Sequence, residues 1–385
     1  MDKDNVIITA PSRRWFALFG VGMGVLMATI DSSIVNISLP TLEAAFHTNF
    51  ATVQWVMLSY VVVLTSLMLG AARLGDMFNK KYFYLGGLIL FTIGSFLCAI
   101  SPNIYFLIGF RALQGLGAVF TQALGMAIVT EVFPSSERGR ALGIMGSIIS
   151  VGIAAGPPLG GLIIGLASWH WVFLVNVPLG IFSTLIILRF IPDLKPAHPD
   201  QKFDATGALI MFVTLSLYAL AMTMGQLVGF GSREVQLLLL ALPLGVAIFL
   251  LVESRIKQPM IDLSLFKNVL FNMNLVMSFL VFVVLGGLFI IPYYLELVQG
   301  YSTTMSGLLM MAEPLCMGCI APLAGALSDR FGSRVISLFG LISISLGAFL
   351  LSTYNVGQTP LDFVLRMVPI GFGMGMFQSP NNSAV

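Results

Sequence analysis

The chain has 385 residues, of which 57% are hydrophobic and only 9% charged, whereas soluble domains average about 25% charged residues. So few charges cannot cover a globule of this size, which excludes an ordinary water-soluble enzyme and predicts a chain surrounded mostly by lipid. The formal net charge is +2, and the basic residues are scattered singly and in pairs, which argues against a nucleic-acid partner.

Twelve apolar runs approach or exceed the roughly 20 residues that a spanning helix needs. In chain order they are 15–39, 53–74, 82–100, 104–129, 140–165, 171–191, 205–227, 235–252, 269–296, 305–327, 335–353 and 363–385. The first run is too long for the core of a signal peptide. We therefore expect an all-α polytopic membrane protein with about 12 spanning helices in two helical bundles.

Basic residues predict the orientation of these helices. With a cytoplasmic N-terminus, 16 of the 19 Lys and Arg residues fall on the cytoplasmic side, the exceptions being Arg111, Arg233 and Arg366. Such a bias is typical of cytoplasmic loops. The prediction is a multi-pass protein of the plasma (inner) membrane with its N-terminus in the cytoplasm.

Polar connectors divide the chain into three predicted parts. Residues 1–192 hold six helices, residues 193–268 form a connector with two extra membrane helices, and residues 269–385 form an incomplete bundle of four helices. The last apolar run reaches Val385 without a polar cap or an interfacial anchor. We expect from this that the sequence is incomplete or truncated at its C-terminus.

A charged turn is repeated after the second and the tenth predicted helices. The first copy contains Arg73, Gly75, Asp76, Lys80 and Lys81, and the second contains Gly325, Asp329, Arg330, Gly332 and Arg334. Aspartates near helix ends can bind free backbone amides and neighbouring cations. Matching turns in two halves of a chain are typical of transporters built from repeats.

Polar and ionisable residues within the spans are the candidate functional residues, because such groups are costly in lipid. Asp31 and Asn36 lie in the first helix, and Arg111 and Gln114 in the fourth. Counted from Pro40 and Pro102, Asp31 and Arg111 both lie roughly 13 Å deep at 1.5 Å per residue. We expect them to face one cavity, with a static structural pair as the alternative.

Glu313 in the tenth helix lies at a similar predicted depth. It is a second candidate for binding protons or substrate, or else a neutral acid bonded to a backbone carbonyl. Glu296, at a helix end, is expected to be solvated. Cys316 and Cys319 have CxxC spacing without further Cys or His ligands, so we predict two helix residues and no metal site.

The fifth helix carries glycines at spacings that allow close helix packing, and a proline that permits a bend. The pattern consists of Gly143, Gly152, Gly156, Pro157, Gly160 and Gly161.

Together these features resemble the major facilitator superfamily, and most of all its fourteen-helix drug:proton antiporter branch. The glycine pattern matches the family's antiporter signature at every fixed position. The segment from Asp31 to Pro40 resembles the branch's first-helix signature, and Arg111 with Gln114 the family's proton-transfer motif. The charged turns resemble the family's cytoplasmic latch between bundles, although Ala72, Met77 and Asn79 depart from its pattern.

The resemblance implies a proton-coupled antiporter that exports small amphipathic or cationic molecules by alternating access. Its implied partners are lipid, protons and a small-molecule substrate, with the proton gradient instead of a cofactor as energy source and no obligate protein partner. The sequence has no GxxxxGK[ST] loop that would bind ATP. One alternative is a non-transporting remnant. A membrane-embedded enzyme is a less favoured alternative, because no HExxH motif and no Ser/His pairing occurs in the spans.

Overall fold

The computed structural model describes residues 11–194, 196, 204–256, 259 and 263–384. Within these residues the regular structure is entirely helical, as the fold-class prediction requires. The helices are α1 Pro11–Ala45, α2 Phe50–Val53, α3 Trp55–Met77, α4 Lys80–Ala99, α5 Ile104–Val132, α6 Ser135–Leu166, α7 His170–Leu174, α8 Asn176–Phe190, α9 Ala205–Val228, α10 Arg233–Glu253, α11 Val269–Gly287, α12 Ile291–Tyr293, α13 Thr303–Met310, α14 Ala312–Phe331, α15 Ser333–Ser352 and α16 Pro360–Ala384.

Twelve helical segments in the described residues are long and apolar enough to cross a membrane, which confirms the predicted number. The first runs on through Pro40 to Ala45, six residues beyond the predicted end. The ninth is irregular at its end, where a 3₁₀ turn, the short α12 and a π-helical turn at Tyr294–Val298 follow α11.

Side-chain caps explain where several helices begin. Asn79, Asn103, Asn268 and Ser302 each precede a helix and accept a hydrogen bond from a backbone amide of its first turn. These amides have no partner within the helix, so a polar side chain at this position favours a defined start. Asp204 caps α9 in the same way.

Contacts divide the chain into two compact units. The first unit comprises the residues up to Ala28, Thr41–Gly146 and His170–Asp262. The second unit comprises Thr29–Pro40, Ser147–Trp169 and Leu263–Val385. Both α1 and α6 therefore contribute to each unit.

Glycine contacts hold α4 against α5 in the first unit. A methyl group on Gly117 would lie 2.6 Å from the carbonyl oxygen of Gly87, and one on Gly87 would lie 2.8 Å from that of Gly117. Such distances are too short for a side chain, so the two backbones touch directly.

The second unit packs α16 against α15 and α14 in the same manner. Gly340 and Gly373 face each other's backbone, and Gly371 lies against the backbone of Glu313. A cluster of buried apolar residues from the helices of this unit, including Ile344, Phe363 and Ile370, completes its core.

Candidate functional site

Arg111 is completely buried in the membrane-spanning part of α5. Its Nε donates to the carbonyl oxygen of Val56 at 2.8 Å, and its Nη1 donates to Oε1 of Gln114 at 2.5 Å. The guanidinium also lies 4.4 Å from the ring centroid of Tyr60 and 5.9 Å from that of Phe173. Because a guanidinium does not lose its proton, these contacts fix a permanent positive charge within the first unit.

Gln114 links this charge to α4. Its Nε2 donates to Oγ of Ser95 at 2.7 Å, and the Ser95 hydroxyl donates to the carbonyl of Phe91 at 2.8 Å. The thiol of Cys98 lies 3.8 Å from Oε1 of Gln114. Gly94 makes room for this arrangement, since a methyl group there would lie 2.9 Å from the backbone of Gln114. Arg111 and Gln114 could be named from the sequence, but the contacts of Gln114 with Ser95 and Cys98 were missed, because the only signal of these two α4 residues is polarity within a span.

Asp31 is also fully buried, in the part of α1 that belongs to the second unit. Two residues on, the Ser33 hydroxyl lies 3.3 Å from the carbonyl oxygen of Gly152 in α6. Asn36 is partly exposed, but its Oδ1 is buried and accepts no hydrogen bond from the described residues. The signature of the first span, in α1, therefore lies beside the glycine pattern of the fifth span, in α6. A pairing of Asp31 with Arg111 stays a prediction.

The glycine pattern of α6 receives the side chains of α1. A methyl group on Gly156 would overlap the Ser33 hydroxyl and lie 3.1 Å from the backbone nitrogen of Ile34. One on Gly160 would lie 2.5 Å from the Ile37 side chain and 2.7 Å from that of Ile34. These glycines are needed for close packing, as their spacing predicts.

The same helix packs against α13 within the second unit. Gly161 lies against the backbone of Thr303, and its carbonyl accepts a hydrogen bond of 2.9 Å from the Thr304 hydroxyl. Gly307 leaves space for the carbonyl of Pro157. The pattern thus serves two helix contacts at once, one with α1 and one with α13.

Replacement by Ala is expected to destabilise the protein at one glycine of this pattern and not at another. Gly156→Ala is expected to lower the free energy of unfolding by about 1–3 kcal/mol, because the added methyl group collides with Ser33. Gly143→Ala is the matched control in the same helix, since nothing lies within 4 Å of its added methyl group. Thermal unfolding of both variants in detergent checks this; equal losses would contradict the packing explanation.

The first charged turn is built around Lys80, whose side chain is 2% exposed. Its Nζ lies 2.8 Å from Oε1 of Glu131 and 3.1 Å from Oδ1 of Asp76. Gly75, one residue earlier, lies directly against the Leu124 side chain. Sequence reasoning named Asp76 and Lys80 but missed Glu131, which is distant in the chain.

The remaining residues of the two turns differ in their surroundings. In the first copy, Arg73 and Lys81 both have partners in the polar connectors. In the second copy, Arg330 and Arg334 are exposed, and Gly332 has a φ of +86°, which favours glycine. The side chain of Asp329 and the surroundings of Gly325 lie outside the described residues.

Removal of the buried cation is expected to destabilise the first turn. Lys80→Met leaves Glu131 and Asp76 without the ammonium group, and we expect a loss of about 1–3 kcal/mol in the free energy of unfolding. Thermal unfolding at low ionic strength measures this, with Lys267→Met as the control because Lys267 is exposed. An unchanged midpoint for Lys80→Met would show that the ion pairs do not contribute.

Glu313 lies on α14, and its backbone contacts Gly371 of α16 directly. Its side chain is partly buried. Cys316 and Cys319 are free thiols on the same helix. No group of three or more possible metal ligands occurs among the described residues.

Glu296 differs from its expected solvated state. It lies in the π-helical turn and is only partly exposed, and its Oε1 is buried without a hydrogen bond from the described residues. The π-helical turn changes the helical register at this position, which an expectation based on a regular helix end does not include.

Comparisons with known proteins agree with this architecture. Residues 21–385 match the family described as Major Facilitator Superfamily. The chain is 37% identical over 381 residues to the riboflavin transporter RibZ of Clostridioides difficile, covering 97% of this chain and 81% of that protein. It is 32% identical to the multidrug resistance protein Stp of Mycobacterium tuberculosis, covering 87% of this chain and 62% of that protein.

A solved structure supports the same fold. The xylose transporter XylE from E. coli, in a partially occluded inward-open conformation, aligns with a TM-score of 0.65 at 15% sequence identity. The alignment covers 96% of this chain and 86% of that structure. The twelve candidate spans of the described residues, the family match and these relatives show that the chain belongs to the Major Facilitator Superfamily of membrane transporters.

Proposed function

We propose that this transporter is a proton-coupled antiporter that exports small amphipathic or cationic organic molecules by alternating access. The observation that supports this most directly is a pair of fully buried ionisable residues within spanning helices, Asp31 in α1 and Arg111 in α5. Ionisable groups inside a membrane are costly, and they typically mark the path of a proton or a substrate.

Asp31 is the proposed exchange residue of this mechanism. Its carboxyl group binds either a proton or the positive charge of a substrate, so that arrival of one releases the other. Arg111, whose charge is held in place by Val56 and Gln114, is the second charged residue of the proposed mechanism. The proton gradient supplies the free energy, and no cofactor takes part.

The relatives support the export of drugs and also offer a second candidate. Stp, multidrug resistance protein 3 and MdtP are each named for drug resistance or multidrug transport. RibZ is named a riboflavin transporter. Transport of a neutral, planar aromatic compound such as riboflavin is therefore the alternative substrate class.

Orientation and gating belong to the same proposal. We place the N-terminus in the cytoplasm and the protein in the plasma membrane, because the basic residues favour that arrangement. The two charged turns then lie on the cytoplasmic side, where they stabilise one of the alternating states. The protein acts as a transporter and not as an enzyme.

Transport by purified protein in lipid vesicles tests this proposal. Vesicles with an imposed pH gradient and an internal pH-sensitive dye receive a panel of lipophilic cations, with riboflavin as the neutral member. We expect cations to dissipate the gradient faster than in vesicles without protein. Substrate movement that does not move protons would contradict antiport, and movement of riboflavin alone would favour the alternative.

Glu313 is proposed as a second cation-binding residue of the same transporter. Its carboxyl group lies within a span and is partly buried, and an acid at membrane depth is a candidate for binding a cation. Glu313→Gln is expected to raise the KM for cationic substrates about tenfold, which corresponds to ~1.4 kcal/mol of lost interaction. Glu313→Asp keeps the charge and is the control. An equal KM for wild type and Glu313→Gln would contradict this role.

A further inference from the structure

Asn79 in the first charged turn makes a contact that the repeated pattern does not explain. The pattern has Gly at this position, and the Asn79 φ of −70° does not require Gly. Its Oδ1 accepts hydrogen bonds from the backbone amide of Lys81 at 3.1 Å and from that of Leu194 at 3.2 Å. The first bond caps α4, and the second reaches the connector that leads towards α9.

The neighbouring residues strengthen the hold on this connector. Nζ of Lys81 lies 3.3 Å from Oδ1 of Asp193. Ile191 and Leu194 are each only 2% exposed, so the connector begins as a packed segment and not as a free loop. Two contacts from one turn therefore hold the start of the connector that leads to the two extra helices, α9 and α10.

The same turn also holds the chain just after these two helices. Nη1 of Arg73 donates to the carbonyl oxygen of Pro259 at 2.5 Å, six residues beyond the end of α10 at Glu253. The residues of one short turn thus bind both connectors of the hairpin that α9 and α10 form. All of these residues belong to the first unit.

Within the spans, the hairpin is joined to the first unit through α9. Phe212 packs beside the buried cluster of Val63, Ala71 and Val119. At the other end of α9, Nε2 of Gln54 donates to Oε1 of Gln226 at 3.3 Å. Most of the contacts of α10 are with α9, and many of its apolar side chains are exposed. Because α10 is held mainly by α9, fixed ends help the hairpin to keep one position.

We propose that the turn Arg73–Lys81 anchors the α9–α10 hairpin to the other helices of the first unit, with Asn79 and Lys81 holding its entry and Arg73 holding its exit. This role explains why Asn stands in a position where the pattern has Gly. The hairpin and the helices of the first unit therefore keep fixed distances from one another.

Spin labels test the anchor without any need for transport. Cys98, Cys316 and Cys319 are first replaced by Ser, and labels are attached at Arg189→Cys on α8 and Ser254→Cys after α10, two exposed positions of the first unit. The distance distribution is then measured by pulsed electron paramagnetic resonance in lipid nanodiscs. Asn79→Ala and Arg73→Ala are compared with Asn79→Asp and Arg73→Lys, which keep an acceptor oxygen and a donor.

We expect a narrow distribution in the unsubstituted turn and in the two conservative variants. Each Ala variant is expected to broaden it roughly twofold, since its connector loses a fixed end. A second readout is the yield of a short thiol cross-link between Gln54→Cys and Gln226→Cys, which should fall in the Ala variants. An unchanged width together with an unchanged yield would overturn the proposal, whatever the transport assay shows.

Discussion

Replacement of Asp31 by Asn is expected to abolish proton-coupled transport while the protein still inserts and folds. The amide has the size of the carboxyl group but binds neither a proton nor a cation by charge, so the exchange step is lost. We expect substrate-driven proton flux to fall at least a hundredfold, which corresponds to about 2.8 kcal/mol. The pH-sensitive dye in vesicles measures this flux directly.

Two controls make the Asp31 result specific. Asp362→Asn removes another acid from the end of a span, but its side chain is 42% exposed and lies beside Arg366, so transport should persist. Asp31→Glu keeps the charge and should retain part of the flux. A variant Asp31→Asn that transports at the wild-type rate would end the proposed mechanism.

Replacement of Arg111 by Lys is expected to reduce transport strongly even though the positive charge is kept. The guanidinium donates in two directions, to Val56 and to Gln114. A shorter-reaching ammonium group lacks this planar fork, and it stacks less well on Tyr60. We expect a fall in the transport rate of about tenfold to a hundredfold, or ~1.4–2.8 kcal/mol.

Gln114→Met separates the effect of the Arg111 charge from the effect of its orientation. The substitution keeps the volume and removes the acceptor for Arg111, together with the donor to Ser95. If the orientation of the guanidinium matters, this variant should lose transport to a similar degree, and its thermal midpoint should also fall because a buried donor of Arg111 loses its acceptor. Full transport by both Arg111→Lys and Gln114→Met would show that charge alone suffices.

The spans could be predicted closely because an apolar run of about 20 residues is a strong and local signal. The continuation of α1 through Pro40 could not, since proline costs a helix one hydrogen bond and the sequence does not reveal whether packing compensates for it. The buried residues around Pro40 and on to Leu42 show that it does. Counted from Ala45, where α1 ends, Asp31 lies about 20 Å from the helix end, and not roughly 13 Å as the count from Pro40 predicts.

The candidate residues could be named from the sequence, but most of their partners could not. Arg111 and Gln114 are three residues apart, so their contact follows from helix geometry. The link from Gln114 to Ser95 and that from Lys80 to Glu131 join different helices. Their pairing depends on helix rotation and axial offset, which hydrophobic periodicity alone does not define. The π-helical turn at Glu296 was missed for a similar reason, because it arises from packing.

The direct backbone contact between α4 and α5 at Gly87 and Gly117 limits the movements that this transporter can make. Packing through flexible side chains lets two helices slide, because rotamer changes absorb a small shear. Here the backbone of α4 contacts the backbone of α5 directly. Glycine has no side-chain rotamers whose change could permit sliding. We therefore expect α4 and α5 to move together as one rigid body. Displacements of other helices during the transport cycle can be measured relative to this pair.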